Sequence, residues 1–155
     1  MVLLDLTTGL RRGELFALKW VDVNFSNLII DIQRSVYRGH IGSCKTETSR
    51  RPVPLDISVA ADLWLMKETS KYAGTDDWIF ASYRNGGKNP VWPNTLLQKI
   101  IRPAALRAGI HKTIGWHTFR HTYLPRCAND LAASSPLSLH RNPCTYLLRN
   151  HSKII

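Results

Sequence analysis

Apolar residues at Leu3, Leu6 and Leu10, and again at Leu15, Leu18 and Trp20, recur at helical spacing and are interrupted at Thr8-Gly9. The spacing predicts two short helices joined by a tight turn, with Gly9 as the left-handed residue ending the first. The period then changes. Leu28 to Val36 is rich in β-branched residues, and Arg51-Pro52-Val53-Pro54-Leu55 follows a polar segment holding Gly39, Gly42 and Lys45. These runs predict a small antiparallel sheet whose prolines keep the last strand at an edge or at its end. Helical spacing returns after Asp56, a good N-cap for a helix reaching about Lys71 with Val59, Leu63, Leu65 and Met66 on its apolar face. Trp78-Ile79-Phe80 is a short buried segment, and Asn85 to Pro90 is a loop by composition. Pro93 or Asn94 opens a helix carrying Leu96, Leu97, Ile100, Ile101, Ala105 and Leu106 and ended by Gly109. A last helix begins near Trp116 or His117 and runs through Tyr123. Beyond Pro125 no sustained period is found, and prolines recur at Pro136 and Pro143.

At 155 residues and 44% hydrophobic composition the chain can bury one core without a disulfide or metal staple. The three cysteines, Cys44, Cys127 and Cys144, are odd in number and lack CxxC spacing, which suggests neither a disulfide framework nor a zinc site. The apolar start contains Asp5 and has no basic region ahead of it, unlike a signal peptide or membrane span, so a soluble cytoplasmic protein is expected. The start also lacks a capping residue before Val2, as if the chain began inside an element. Charge narrows the partners: Lys plus Arg number 21 against 11 Asp plus Glu, a net +10 that favours nucleic acid or another polyanion.

Several short patterns occur in order: TGLRRGEL at 8–15, a lysine in CKTETSRRPVPL at 44–55, and WHTFRHT at 116–122. Together they resemble the catalytic domain of the tyrosine recombinase, or phage integrase, family. The resemblance covers residues 1–123 and implies an α+β, mainly α fold with a small three-stranded antiparallel sheet. The DNA-clamping domain that precedes this region in the family has no counterpart here, so 1–123 reads as an N-terminally incomplete catalytic region. By the same resemblance Arg11 stands at the invariant arginine with Glu14 as its neighbouring acid, while Arg12 falls on a variable position. Lys45 matches the lysine of the β-hairpin turn, with Lys19 and Lys67 as alternatives. His117 and Arg120 match His-x-x-Arg, and His121 continues the pattern as structural support.

The chemistry wants these residue types. Attack of a tyrosine hydroxyl on a phosphodiester builds negative charge on the non-bridging oxygens, which the guanidinium forks of Arg11 and Arg120 can bind while staying charged. The resemblance makes Lys45 the general acid at the leaving 5′ oxygen, and gives His117 a part in proton transfer at the attacking oxygen or in positioning the phosphate. With two arginines as the cationic clamp no metal or other cofactor is expected. His117 and His121 have the i, i+4 spacing of a metal pair, but no Glu and no third ligand accompany them. The partner implied is double-stranded DNA, engaged by a homo-oligomer of phage or mobile-element type. Arg34, Arg38, Arg50, Arg51, Lys88, Lys99 and Arg102 are candidates for phosphate contacts that carry no sequence information.

The pattern breaks after Arg120. Residues 124–155 contain no glycine, so the family's Gly-His pair is missing, and Tyr146, the candidate nucleophile, comes early and only six positions after His140. This segment reads as an atypical tail translated in a shifted frame from near codon 124. Its alternative is a divergent tail that packs on the core or lends its tyrosine to a neighbouring subunit.

Overall fold

The computed structural model describes residues 1–43 and 52–123. Two short helices open the chain, α1 (Val2–Thr8) and α2 (Arg12–Phe16). Gly9 between them is left-handed, at φ 59° and ψ 29°, and its N–H donates to the Asp5 carbonyl. The second helix is shorter than Leu18 and Trp20 suggested. After Phe16 the backbone is drawn into pairing with a distant segment: Ile79 N–H donates to Leu18 and Trp20 N–H to Asp77. Leu18 and Trp20 are therefore buried from a 3₁₀ turn and its lead-in, not from a helix face.

Strands β1 (Val23–Asn24) and β2 (Ile29–Asp31) join a later strand, β5 (Pro52–Pro54), in an antiparallel sheet of order β1-β2-β5. Ile30 lies opposite both Val23 and Val53, and all three are buried, so one face of this sheet closes on the core. Pro52 and Pro54 sit exposed on the terminal strand, where a missing N–H costs no ladder bond. Between β2 and β5 stands a separate hairpin of β3 (Arg34–Tyr37) and β4 (His40–Ser43). Its turn residues Arg38 and Gly39 both have positive φ, 49° and 83°, as a right-twisting two-residue hairpin requires. The continuous run expected over 28–36 is thus two strands, divided where Ile32 is buried and Gln33 is exposed. Strand β4 lies inside the segment read as polar. Its four residues are all exposed, so it has no hydrophobic alternation to reveal it.

Helix α3 (Ile57–Thr69) is capped as expected, the Asp56 carboxylate accepting the Ser58 N–H at 2.8 Å. It buries Val59, Ala60 and Leu63, while Leu65 is exposed and does not share their face. Pro93 opens the next helical stretch: α4 (Pro93–Leu96), a π turn over Leu97–Ile101, and α5 (Arg102–Arg107). Pro103 cannot donate to the preceding turn and its ring crowds the carbonyl four residues back; widening the turn ahead of it accommodates both. Gly109, at φ 78°, ends the stretch in a Schellman arrangement, with Ile110 N–H donating to Ala105 and Gly109 N–H to Leu106. A last helix, α6, covers residues 116–123 within the described part of the chain.

The core gathers Leu4, Leu10, Leu15, Phe16 and Trp20 from the first twenty residues, Ile30 and Val53 from the sheet, Leu63 from α3, and Trp116 and Phe119 from α6. Among the described residues no helix is long and apolar enough to cross a membrane.

Candidate functional site

Arg11 is the residue before the first turn of α2, with extended backbone at φ −69° and ψ 147°. Glu14, three residues on, binds it twice: one carboxylate oxygen accepts the Arg11 N–H at 2.8 Å and the other accepts Nη1 at 2.9 Å. The Glu14 side chain is 8% exposed and that of Arg11 62%, so a nearly buried carboxylate fixes the base of a guanidinium whose remaining N–H groups face outward. This satisfies one free N–H at the helix start and gives the arginine a defined direction.

Arg120 arrives from the far end of the described chain. Helix α6 buries Trp116 and Phe119 and leaves His117 and His121 exposed, so one face anchors and the opposite face is presented. Trp116 meets Phe16 of α2 edge to face, with centroids 4.8 Å apart at 85°, and its indole N–H donates to the Pro93 carbonyl at 3.3 Å. That packing brings α6 onto the turn after α1, where Arg120 Nη1 donates to the Gly9 carbonyl. The Tyr123 ring lies directly over Gly9, and a Cβ there would fall inside the ring's contact distance. The Gly9 turn is therefore a junction: it binds Arg120 through its carbonyl, accepts Tyr123 through its missing side chain, and leads two residues later into Arg11. His117 is one turn ahead of Arg120 on α6, its ring centroid 6.3 Å from that of His121. Among the described residues no third ligating side chain forms a metal cluster with them.

Asp5 is the site residue that sequence reasoning missed, having read it only as an acid that spoils a leader peptide. It is fully buried, and neither of its side-chain oxygens has a hydrogen-bond partner among the described residues. Burial raises its pKa to about 7, opposed by the positive charge of Arg120. A lone carboxylate in the apolar run Val2-Leu3-Leu4-Asp5-Leu6 was the available signal.

The expected phosphate contacts divide. Arg34 pairs with buried Asp22, Nη1 to Oδ2 at 2.5 Å, and Arg102 Nε donates to the Ile114 carbonyl at 3.0 Å, so both serve the fold. Lys88 has an exposed side chain, while its carbonyl accepts the Trp78 indole N–H at 3.1 Å. Of the alternative lysines, Lys19 lies over Trp78 and near Asp76, and Lys67 lies over Trp20. Lys45, Arg50, Arg51 and Tyr146 lie outside the described residues.

Two arginines from opposite ends of the described chain thus meet one glycine turn, Arg120 through the Gly9 carbonyl and Arg11 two residues further along the chain. The sequence matches the phage integrase family over residues 1–134, and the chain belongs to that family. It is 30% identical over 131 residues to the integrase of Staphylococcus phage L54a, a match covering 76% of this chain and 36% of that protein. In fold it is similar to the Tn1549 transposon integrase in complex with circular intermediate DNA, with a TM-score of 0.69, 24% identity, and coverage of 99% of this chain and 51% of that one. It is also similar to XerA recombinase, with a TM-score of 0.61, 20% identity, and coverage of 94% and 52%. The fold is that of tyrosine recombinase catalytic domains, and the chain spans about half the length of the solved structures it matches.

Proposed function

We propose that the protein is a site-specific DNA recombinase that cleaves and rejoins double-stranded DNA through a 3′-phosphotyrosyl intermediate, working as a homo-oligomer on its site. The observation that carries this is that Arg120 is held on the carbonyl of Gly9, two residues ahead of the Glu14-anchored Arg11, in a chain of the phage integrase family. Arg11 and Arg120 hold the non-bridging oxygens of the scissile phosphate. The tyrosine oxygen bonds to phosphorus as the bond to the 5′ oxygen breaks, and Lys45 delivers the proton that the departing oxygen requires. His117, one turn from Arg120, positions the phosphate or assists proton transfer at the attacking oxygen. Attack by an incoming 5′ hydroxyl reverses these bonds and frees the tyrosine. The packing of Lys19 and Lys67 over tryptophans supports assigning the acid to Lys45. Tyr146 is the candidate nucleophile.

A second reading has a specific observation behind it: the missing glycine, and hence the missing Gly-His pair, in residues 124–155. On that reading 1–123 is the family domain and 124–155 a tail from a shifted frame, leaving a phosphate cradle that docks DNA without cutting it. A nicked suicide substrate separates the two. Recombinase activity predicts a covalent protein–DNA adduct that Tyr146→Phe abolishes; the docking reading predicts binding with no adduct. In both, Arg11→Ala and Arg120→Ala each weaken DNA binding. Unchanged DNA binding in both variants overturns the phosphate cradle itself. Sequencing the coding DNA from codon 115 in all three frames tests the shifted tail.

A further inference from the structure

A groove among the described residues lies beside the cradle, not in it. It has a volume of about 530 Å³ and is walled by Arg12, the β3–β4 turn and the segment from Ser82 to Asn94. That volume is in the range of sites that enclose a small organic ligand. Its walls hold two arginines, Arg12 and Arg38, three amides, Asn85, Asn89 and Asn94, and no acidic residue. Trp92 is the aromatic platform. It is 51% exposed although it lines the groove, and it stands beside Gly39 in the hairpin turn. The Arg38 guanidinium lies over the ring of Tyr37, which also lines the groove, 5.4 Å from its centroid. Gly13 ties the groove to the cradle: Ser35 and Val36 of β3 press so closely on it that an added Cβ would collide with both. The hairpin is therefore docked on the turn of α2 that carries Arg11 and Arg12.

Two arginines, a half-exposed indole and three amides lining one groove match the chemistry of one nucleotide: phosphate, base plane and base edge. In intact duplex the base planes are stacked and closed to such a platform, so the ligand must be a base outside the stack. We infer that this groove binds one unpaired nucleotide of the DNA, its base stacked on Trp92 and its phosphates held by Arg12 and Arg38. The inference rests on the DNA reading above and deepens it, because it assigns the protein a preference for locally unpaired DNA next to the phosphate it cradles.

Fluorescence anisotropy of the whole chain with three labelled duplexes tests it: one fully paired, one with a single bulged thymine, and one with an abasic residue at the bulge. The wild type is expected to bind the thymine bulge about tenfold more tightly than either of the others, the worth of one stacked base. Trp92→Ala removes that preference and leaves affinity for paired duplex within about twofold, whereas Trp92→Phe keeps most of it. Arg38→Ala lowers the salt dependence of binding by about one phosphate contact. Equal affinity for the thymine and abasic bulges, or a preference that survives Trp92→Ala, overturns the base pocket. So does equal binding of bulged and paired duplex, and if that binding still depends on Arg11 and Arg120 the recombinase reading stands. Failure to bind any of the three removes both.

Discussion

Two left-handed turns of this molecule each lie near an arginine, and they do opposite things with it. At Gly9 the turn is roofed by Tyr123, its carbonyl is taken by Arg120, and the helices on either side are sunk in the core. At Arg38-Gly39 the turn projects from a hairpin whose second strand is wholly exposed, and the nearest atom to a Cβ on Gly39 would be Trp92 at 3.7 Å, an ordinary contact. Glycine at position 9 is required by backbone and packing together, and at position 39 by backbone alone. The first turn fixes charge with the precision of a packed interior; the second offers charge from an arm.

The most damaging way to break the first region is to remove what brings α6 to it. Trp116→Ala forfeits the edge contact to Phe16 and leaves a core cavity, and is expected to cost about 3 to 5 kcal/mol in a urea titration followed by circular dichroism. Next is Gly9→Ala, which strains a φ of 59° and displaces Tyr123, at a cost of about 2 to 4 kcal/mol by the same titration. Loss of less than about 1 kcal/mol would mean that Tyr123 is not held there.

Asp5 sharpens the comparison through pH. Its folded pKa of about 7 lies above the ordinary 3.8, so the folded state holds the proton more tightly than the unfolded chain. The stabilisation this brings is full below about pH 4 and fades as pH rises through about 7. Asp5→Asn removes the ionisation and is expected to raise stability at about pH 8 by about 2 kcal/mol while flattening the pH dependence between those limits. A wild type whose denaturation midpoint does not fall over that window would show that the carboxylate finds a partner. The smallest effect belongs to the arm: Gly39→Ala strains only a φ of 83° and is expected to cost about 1 to 2 kcal/mol, with the core transition otherwise unchanged.

Legibility follows the same division. The Gly9 turn, the Asp56 cap, the Pro93 helix start and the Gly109 stop were readable because each is a local demand of one residue type on its own backbone. Strand β4 was not, since an exposed hairpin arm carries no hydrophobic period, and the early end of α2 was not, since a partner near Asp77 decides it. In the site, the family resemblance set Glu14 beside Arg11, and the helix expected from near Trp116 to Tyr123 put His117 and Arg120 on one element. The fate of Arg34, bound to Asp22, and of Asp5, enclosed with no hydrogen-bond partner among the described residues, was not readable.

The sequence by itself determined the order of the helices, the Asp56 cap, the Gly9 and Gly109 ends and the cationic balance, because these depend on neighbours along the chain or on composition alone. Only the tertiary structure decided which charges meet. Arg120 and Gly9 lie 111 residues apart, and no local propensity joins them. They are brought together by burial of Phe16, Trp116 and Phe119 in one core, where the Trp116 ring lies 4.8 Å from that of Phe16 and 5.9 Å from that of Phe119.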